Sequence, residues 1–140
     1  MILDYNEIQE IIKKTFGTRF TDDFSLQISD EQYYCPSLED LKAILEKSTV
    51  DKREYIEEVL DCDDFALLLK AHFIKQAYKE KKRRHPYAVG LIMGGKLQGN
   101  IPHAINFVIT DKMELLLIEP QTDTIEKPTK LDKEIYFIYM

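Results

Sequence analysis

Helices first and strands afterwards predict an α+β fold, and three observations carry that prediction. Apolar residues recur at helical spacing through residues 2–16, 38–47 and 67–78. From Tyr87 onward the period drops to two, with turn signals at Gly94-Gly95, Gly99-Asn100 and Asp111-Lys112. No helical stretch separates the later strands, so they read as an antiparallel meander. With 140 residues, 44% of them hydrophobic, the chain suffices for one domain with its own core, and a single domain over 1–140 is expected.

Taken in order, residues 2–16 place Ile8, Ile11, Ile12 and Phe16 at core spacing, and Gly17 is a natural stop. Phe20, Phe24, Leu26 and Ile28 alternate weakly, as a short strand or an extended arm would. Ser37 followed by Asp40 resembles a capping box and opens a helix with Leu38, Leu41, Ile44 and Leu45 on one face. Asp51 to Leu60 reads as a short helix or turn that carries Tyr55, Ile56 and Val59 towards Cys62. Asp61 is an N-cap for the long helix, with Asp63 and Asp64 in its first turn and an apolar stripe from Leu67 to Tyr78. Tyr87–Met93 is the first meander strand, His103–Thr110 and Met113–Glu119 form a hairpin, and Glu134–Tyr139 is the last strand.

Net charge is −6 and the pI about 5.1, which argues against a dedicated nucleic-acid binder, since phosphate contacts need a basic surface. The basic run from Lys79 to His85 fits a solvated helix C-terminus. No apolar run reaches about 18 residues and no leader is visible, so no membrane span is expected. Cys35 and Cys62 are too few for a disulfide framework; two free thiols in a reducing compartment are expected, and with them a cytoplasmic setting unless a leader has been removed.

Cys62 sits where unpaired backbone N–H groups and the helix dipole favour a thiolate, while Asp61, Asp63 and Asp64 oppose it. His103 opens one hairpin strand and Glu119 closes the next. His103 meets Glu119 directly across the hairpin only if the connecting loop holds an odd number of residues, and matching the purely apolar sets of the two strands requires such a loop, for instance Thr110-Asp111-Lys112, which sets the two side by side. A thiol, an imidazole and a carboxylate brought together form the constellation of nucleophile, base and orienting acid. Gln121, of the same parity as Glu119, could serve instead as a neutral acceptor. Each residue also has a plainer reading: Cys62 as a small buried hydrophobe, His103 and Glu119 as solvated strand ends.

The segments Asp61-Cys62-Asp63-Asp64-Phe65-Ala66, His103-Ala104-Ile105-Asn106 and Glu119-Pro120-Gln121 resemble the papain-like catalytic domain of the calcium-dependent Marasmius oreades agglutinin family. More broadly they are similar to transglutaminase-like and papain-like cysteine peptidases. The resemblance covers about Tyr55 to Gln121. It implies a papain-like (transglutaminase-like) fold, with N-terminal helices and a central helix packed on the meander. It also implies a Cys62–His103–Glu119 triad that cleaves an amide or peptide bond of a peptide or protein substrate through a thioester. The β-trefoil lectin domain of those agglutinins is not seen in the sequence, so carbohydrate targeting does not transfer, and the surroundings of the thiol in papain itself are also missing.

Two further expectations follow. Asp61, Asp63 and Asp64 offer hard oxygens suited to calcium, though without EF-hand spacing, and a cation there would offset the charge that opposes a thiolate. The Cys62 N–H would be one oxyanion donor, with Tyr55, Tyr33 or Tyr34 as candidates for the second. Against catalysis stands a noncatalytic interaction module on the same layout, with the amino-terminal tyrosines and the apolar last strand available for a partner or a homo-oligomer. Within enzymes the rival is a peptidoglycan amidase or endopeptidase.

Overall fold

The computed structural model describes residues 1–80, 84–99 and 101–140. Part of the basic run, Lys81 to Arg83, lies outside the described residues, as does Asn100 of the second turn signal. Strand β1 (Ile2–Asp4) leads into helix α1 (Tyr5–Phe16), followed by β2 (Phe20–Gln27), β3 (Gln32–Tyr34) and α2 (Leu38–Glu46). A 3-10 turn at Val50–Lys52 precedes α3 (Cys62–Lys79). The strands β4 (Val89–Leu97), β5 (Ile101–Ile109), β6 (Leu115–Glu119), β7 (Thr124–Glu126) and β8 (Lys133–Tyr139) complete the chain.

Local chemistry sets the helix ends. At the start of α1, Glu7 N–H donates to Asp4 Oδ1 and Asp4 N–H to Glu7 Oε2, both at 2.9 Å, a reciprocal box that ends the preceding strand. Gly17, at φ +58°, closes the helix by donating to the Lys13 carbonyl. Ser37 Oγ accepts from the Asp40 N–H at the start of α2. The expected first-turn partner Leu38 faces solvent, however, and only Leu41, Ile44 and Leu45 are buried.

Six strands form one sheet in the order β2-β8-β4-β5-β6-β7, and β1 pairs separately with β3. The expected antiparallel meander forms over β4-β5-β6-β7, but the last strand does not extend it: β8 inserts between β2 and β4, antiparallel to β4 and parallel to β2. That places the last strand inside the sheet, with Ile135 and Ile138 buried, so it is not a free surface for self-association. Strand β4 also runs through Gly94 and Gly95, where one turn was expected, and the chain reverses at Gln98 and Gly99, both at positive φ, next to the second turn signal. Gly90 has no alternative in β4, because a Cβ there would lie 2.5 Å from both the Phe107 ring and the Tyr139 carbonyl.

Helices cover both faces of the sheet. Ile8, Ile12 and Phe16 of α1 pack with Ile105, Phe107, Leu117 and Ile138. Leu41 and Ile44 of α2, with Phe65, Leu69 and Phe73 of α3, pack with Val89, Val108, Leu116 and Ile118 on the opposite face. The expected papain-like (transglutaminase-like) layout of a central helix on a meander is thus not what forms. Strands β5 and β6 are buried on both faces, which the run Leu115–Ile118 reflects, and such strands need a helical layer on each side. Among the described residues no helix is long and apolar enough to cross a membrane.

Asn106 is the polar exception in β5. It has no exposed surface, and its Nδ2 donates to Ala66 O at 2.8 Å and to Gly90 O at 3.1 Å, tying the first turns of α3 to the sheet. Replacing it by Ala should cost about 2–4 kcal/mol, the sum of lost bonds to the two carbonyls and a cavity. Urea unfolding checks this; a change under about 0.5 kcal/mol would remove the clamp from the account.

Candidate functional site

Tertiary structure brings the hairpin residues together as follows. Asp111, Lys112 and Met113 form a three-residue loop, with Thr110 N–H donating to Glu114 O and Met113 at φ +58°. The loop has the odd count that the apolar sets require, but pairing runs Asn106 to Ile118 and Phe107 to Leu117. Continuing that register sets Glu119 opposite Ile105, so His103 and Glu119 are diagonal neighbours on one face. Their contact is short: His103 Nε2 lies 2.5 Å from Glu119 Oε2, and both side chains are largely buried. Glu119 Oε1 accepts the Gln121 backbone N–H at 3.0 Å, so the carboxylate is held at both oxygens. Gln121 takes part through its backbone, not its side-chain amide.

Cys62 is the first residue of α3 and half-buried. Burial pushes its thiol above the ordinary cysteine range and the Asp61 and Asp63 charges add to this. The N–H groups of Ala104 and Asp63 work in the opposite direction and do not prevail. The helix-end effect is thus outweighed. His103 falls in the set of Ile105 and Phe107, which pack towards α1, whereas Ala104 and Asn106 turn to α3. Among the described residues no hydrogen bond joins the thiol to the imidazole. Cys35 is fully buried, its thiol pushed up to about 11 by that burial.

Around the start of α3 the surface is acidic. Asp61, Asp63 and Asp64 each offer a carboxylate oxygen, and these atoms lie within 4.8 Å of one another, close enough to hold one cation. Asp61 N–H also donates to Asp64 Oδ2 at 3.2 Å. The neighbouring Asp63 carboxylate, within hydrogen-bonding reach, holds the Asp61 carboxyl up at about 6. Tyr55, expected to approach from the preceding turn, is half exposed, and the charges of Asp61 and Cys62 reach its hydroxyl. Tyr33 is buried with its hydroxyl bonded to Met140 O, which fixes it as a core residue.

Sequence reasoning missed a second acidic place. Asp51, in the 3-10 turn, and Asp123, at φ +56° between β6 and β7, line a cavity of about 460 Å³ with Ser48 and Lys42. Each has a buried Oδ1 without a hydrogen-bond partner. Burial, with the Asp51 charge behind it, raises the Asp123 carboxyl to about 6. No spacing signal could have linked two acids so far apart in sequence. For Asn106 a signal did exist, an amide in an otherwise apolar strand.

Comparison with solved structures defines the class. The whole fold overlays on solved structures: the "PSL1a-E64 complex" matches with TM-score 0.80 and 21% identity over 99% of this chain and 51% of that one. Polyporus squamosus lectin bound to the human-type influenza-binding epitope Neu5Aca2-6Galb1-4GlcNAc matches with TM-score 0.75 and 19% identity over 99% and 49%. The molecule is therefore a mixed helix and sheet domain that shares the fold of these structures, and it spans about half their length.

The model of the agglutinin C-terminal family matches residues 33–125, and the chain belongs to that family. No curated protein sequence matches it. The agglutinin side of the sequence resemblance stands, and the peptidase side is corrected. Family and neighbours are agglutinin and lectin, so a cysteine protease or cell-wall hydrolase acting through a Cys62 thioester is not what they support. The raised thiol agrees with that correction.

Two outcomes are expected. In the Cys35→Ala variant at pH 7, Cys62 should react with a disulfide reagent more slowly than a free cysteine. Its rate should climb about tenfold per pH unit towards pH 9, because only the thiolate reacts. Stability should rise by about 1 kcal/mol as pH falls from 7 to 5 through Asp123, whose folded value lies above its unfolded one, after allowance for solvent screening. Asp123→Asn should flatten that part of the profile and stabilise the protein at pH 8; an unchanged slope in urea titrations would refute the assignment.

Proposed function

We propose that the chain is a noncatalytic lectin-type interaction module and that glycan is its ligand class. The observation that carries the reading is the overlay of 99% of the chain on a lectin holding a sialylated trisaccharide, within an agglutinin family. Local chemistry supports it. Sugars present hydroxyl donors and an apolar ring face, and the start of α3 offers carboxylate acceptors beside a half-exposed tyrosine. Asp61, Asp63 and Asp64 would hold calcium, a hard ion that also accepts sugar hydroxyls as ligands. The pair His103–Glu119 with Gln121 stiffens the adjoining strand ends.

The test uses the 140-residue chain alone, on a glycan array and by calorimetry with Neu5Acα2-6Galβ1-4GlcNAc and neutral galactosides. Saturable binding that drops tenfold or more in Tyr55→Ala and in Asp63→Asn/Asp64→Asn is expected. Absence of glycan retention, or amide turnover with rapid alkylation of Cys62, would overturn the reading. Calcium at ten times its dissociation constant should add about 1.4 kcal/mol of stability, read as a rise in melting temperature that EDTA reverses and the double variant lacks.

A further inference from the structure

The end of α2, the 3-10 turn and the turn between β6 and β7 line a cavity of about 460 Å³ that the site at the start of α3 does not use. Ser48 N–H donates to Leu45 O at 2.9 Å and Ser48 Oγ accepts the Val50 N–H at 3.2 Å, which fixes a hydroxyl just past α2. Ser48 is only 2% exposed. Asp51 joins it from the 3-10 turn and Asp123 from the β6–β7 turn. The Oδ1 atoms of both aspartates are buried and hydrogen-bond to nothing, Lys42 and Lys52 of the cavity wall included. Buried carboxylate oxygens are costly to leave without donors, so two of them in one cavity point to donors that a ligand brings. The two carboxylates also act on each other through their charge, which a cation between them would relieve.

We propose that this cavity is a binding site for a small primary alkylammonium ion. Three features select that chemistry. An ammonium group carries three donors, and three oxygens stand ready to accept them: Oδ1 of Asp51, Oδ1 of Asp123 and the remaining lone pair of Ser48 Oγ. The charged side chains of the lining are Lys42 and Lys52 against Glu46, Asp51 and Asp123, so one added positive charge balances them. Leu45 and Ile125 supply apolar surface for the alkyl part, the usual division of labour in a small-molecule site.

A metal ion fits this place less well. Calcium and magnesium take about six oxygen ligands or more, and Asp51, Asp123 and Ser48 leave most of that shell to water. Doubly charged ions would also overshoot the balance of the lining. The volume instead matches a small organic molecule, since ligand cavities begin at about 300 Å³. The inference uses none of the residues assigned to glycan or calcium above and stands apart from that reading.

Calorimetric titration of the 140-residue chain with n-butylammonium chloride, in EDTA at pH 8 where Asp123 is ionised, tests it. One-site saturable binding with a dissociation constant of about 1 mM is expected for so small a ligand. Asp51→Asn and Asp123→Asn should each weaken it tenfold or more. Circular dichroism checks that both variants are folded, and Asn tolerates the φ of +56° at position 123. Asp22→Asn, which removes the same charge from the exposed part of β2, should leave the affinity within twofold. Tetramethylammonium, of equal charge but without N–H donors, should bind at least tenfold more weakly. Heat that does not saturate, as expected if only solvent fills the cavity, would overturn the proposal. So would n-butylammonium binding indifferent to Asp51→Asn, magnesium binding more tightly at this site in the absence of EDTA, or a lysine-containing acetylated peptide binding tenfold more tightly than the free amine.

Discussion

Burial of β5 on both faces is the constraint from which the rest of the architecture follows. A strand with Ile105, Phe107 and Ile109 on one side and Val108 on the other cannot leave either side in water, so each must be roofed by a helical layer. Helix α1 roofs one side, and α2 with α3 the other. Asn106 then fixes where α3 sits, because among the described residues its Nδ2 finds its acceptors at Ala66 O and Gly90 O. An amide buried in an apolar layer tolerates little displacement, since every shift strands a donor. The start of α3, and with it Cys62 and the three aspartates, is positioned by that bond pair.

Alternation along β5 sends neighbouring residues to opposite sides, so His103 follows the α1 face while Ala104 lies near the thiol. The imidazole is engaged by Glu119, and the thiol is left to its burial and its acidic neighbours. Those neighbours hinder ionisation of sulfur but are well suited to hold a cation or accept hydroxyl donors. One local environment therefore disfavours a nucleophile and favours a binding surface, in keeping with the agglutinin family and the lectin fold.

Periodicity revealed α1, α2 and α3 and most of the sheet strands, because burial of one helix face or one strand side leaves its spacing in the chain. It did not reveal β1, whose three residues merge into the apolar pattern of α1, nor the break between them that the Asp4–Glu7 box creates. For α3 the apolar content was legible but its orientation was not. Residues of both faces are hydrophobic, and only contact with the sheet distinguishes Leu69 and Phe73 from Leu67 and Ile74.

By itself the sequence determined the mixed helical and stranded composition, the odd hairpin loop that puts His103 and Glu119 on one face, and the acidic start of α3. These depend on residues near one another or on patterns a single element carries. Tertiary structure alone decided that β8 enters between β2 and β4, that helices lie on both faces, and that Asp51 meets Asp123. Such choices are made by the competition of whole apolar surfaces for burial, and that competition depends on the space all the elements share.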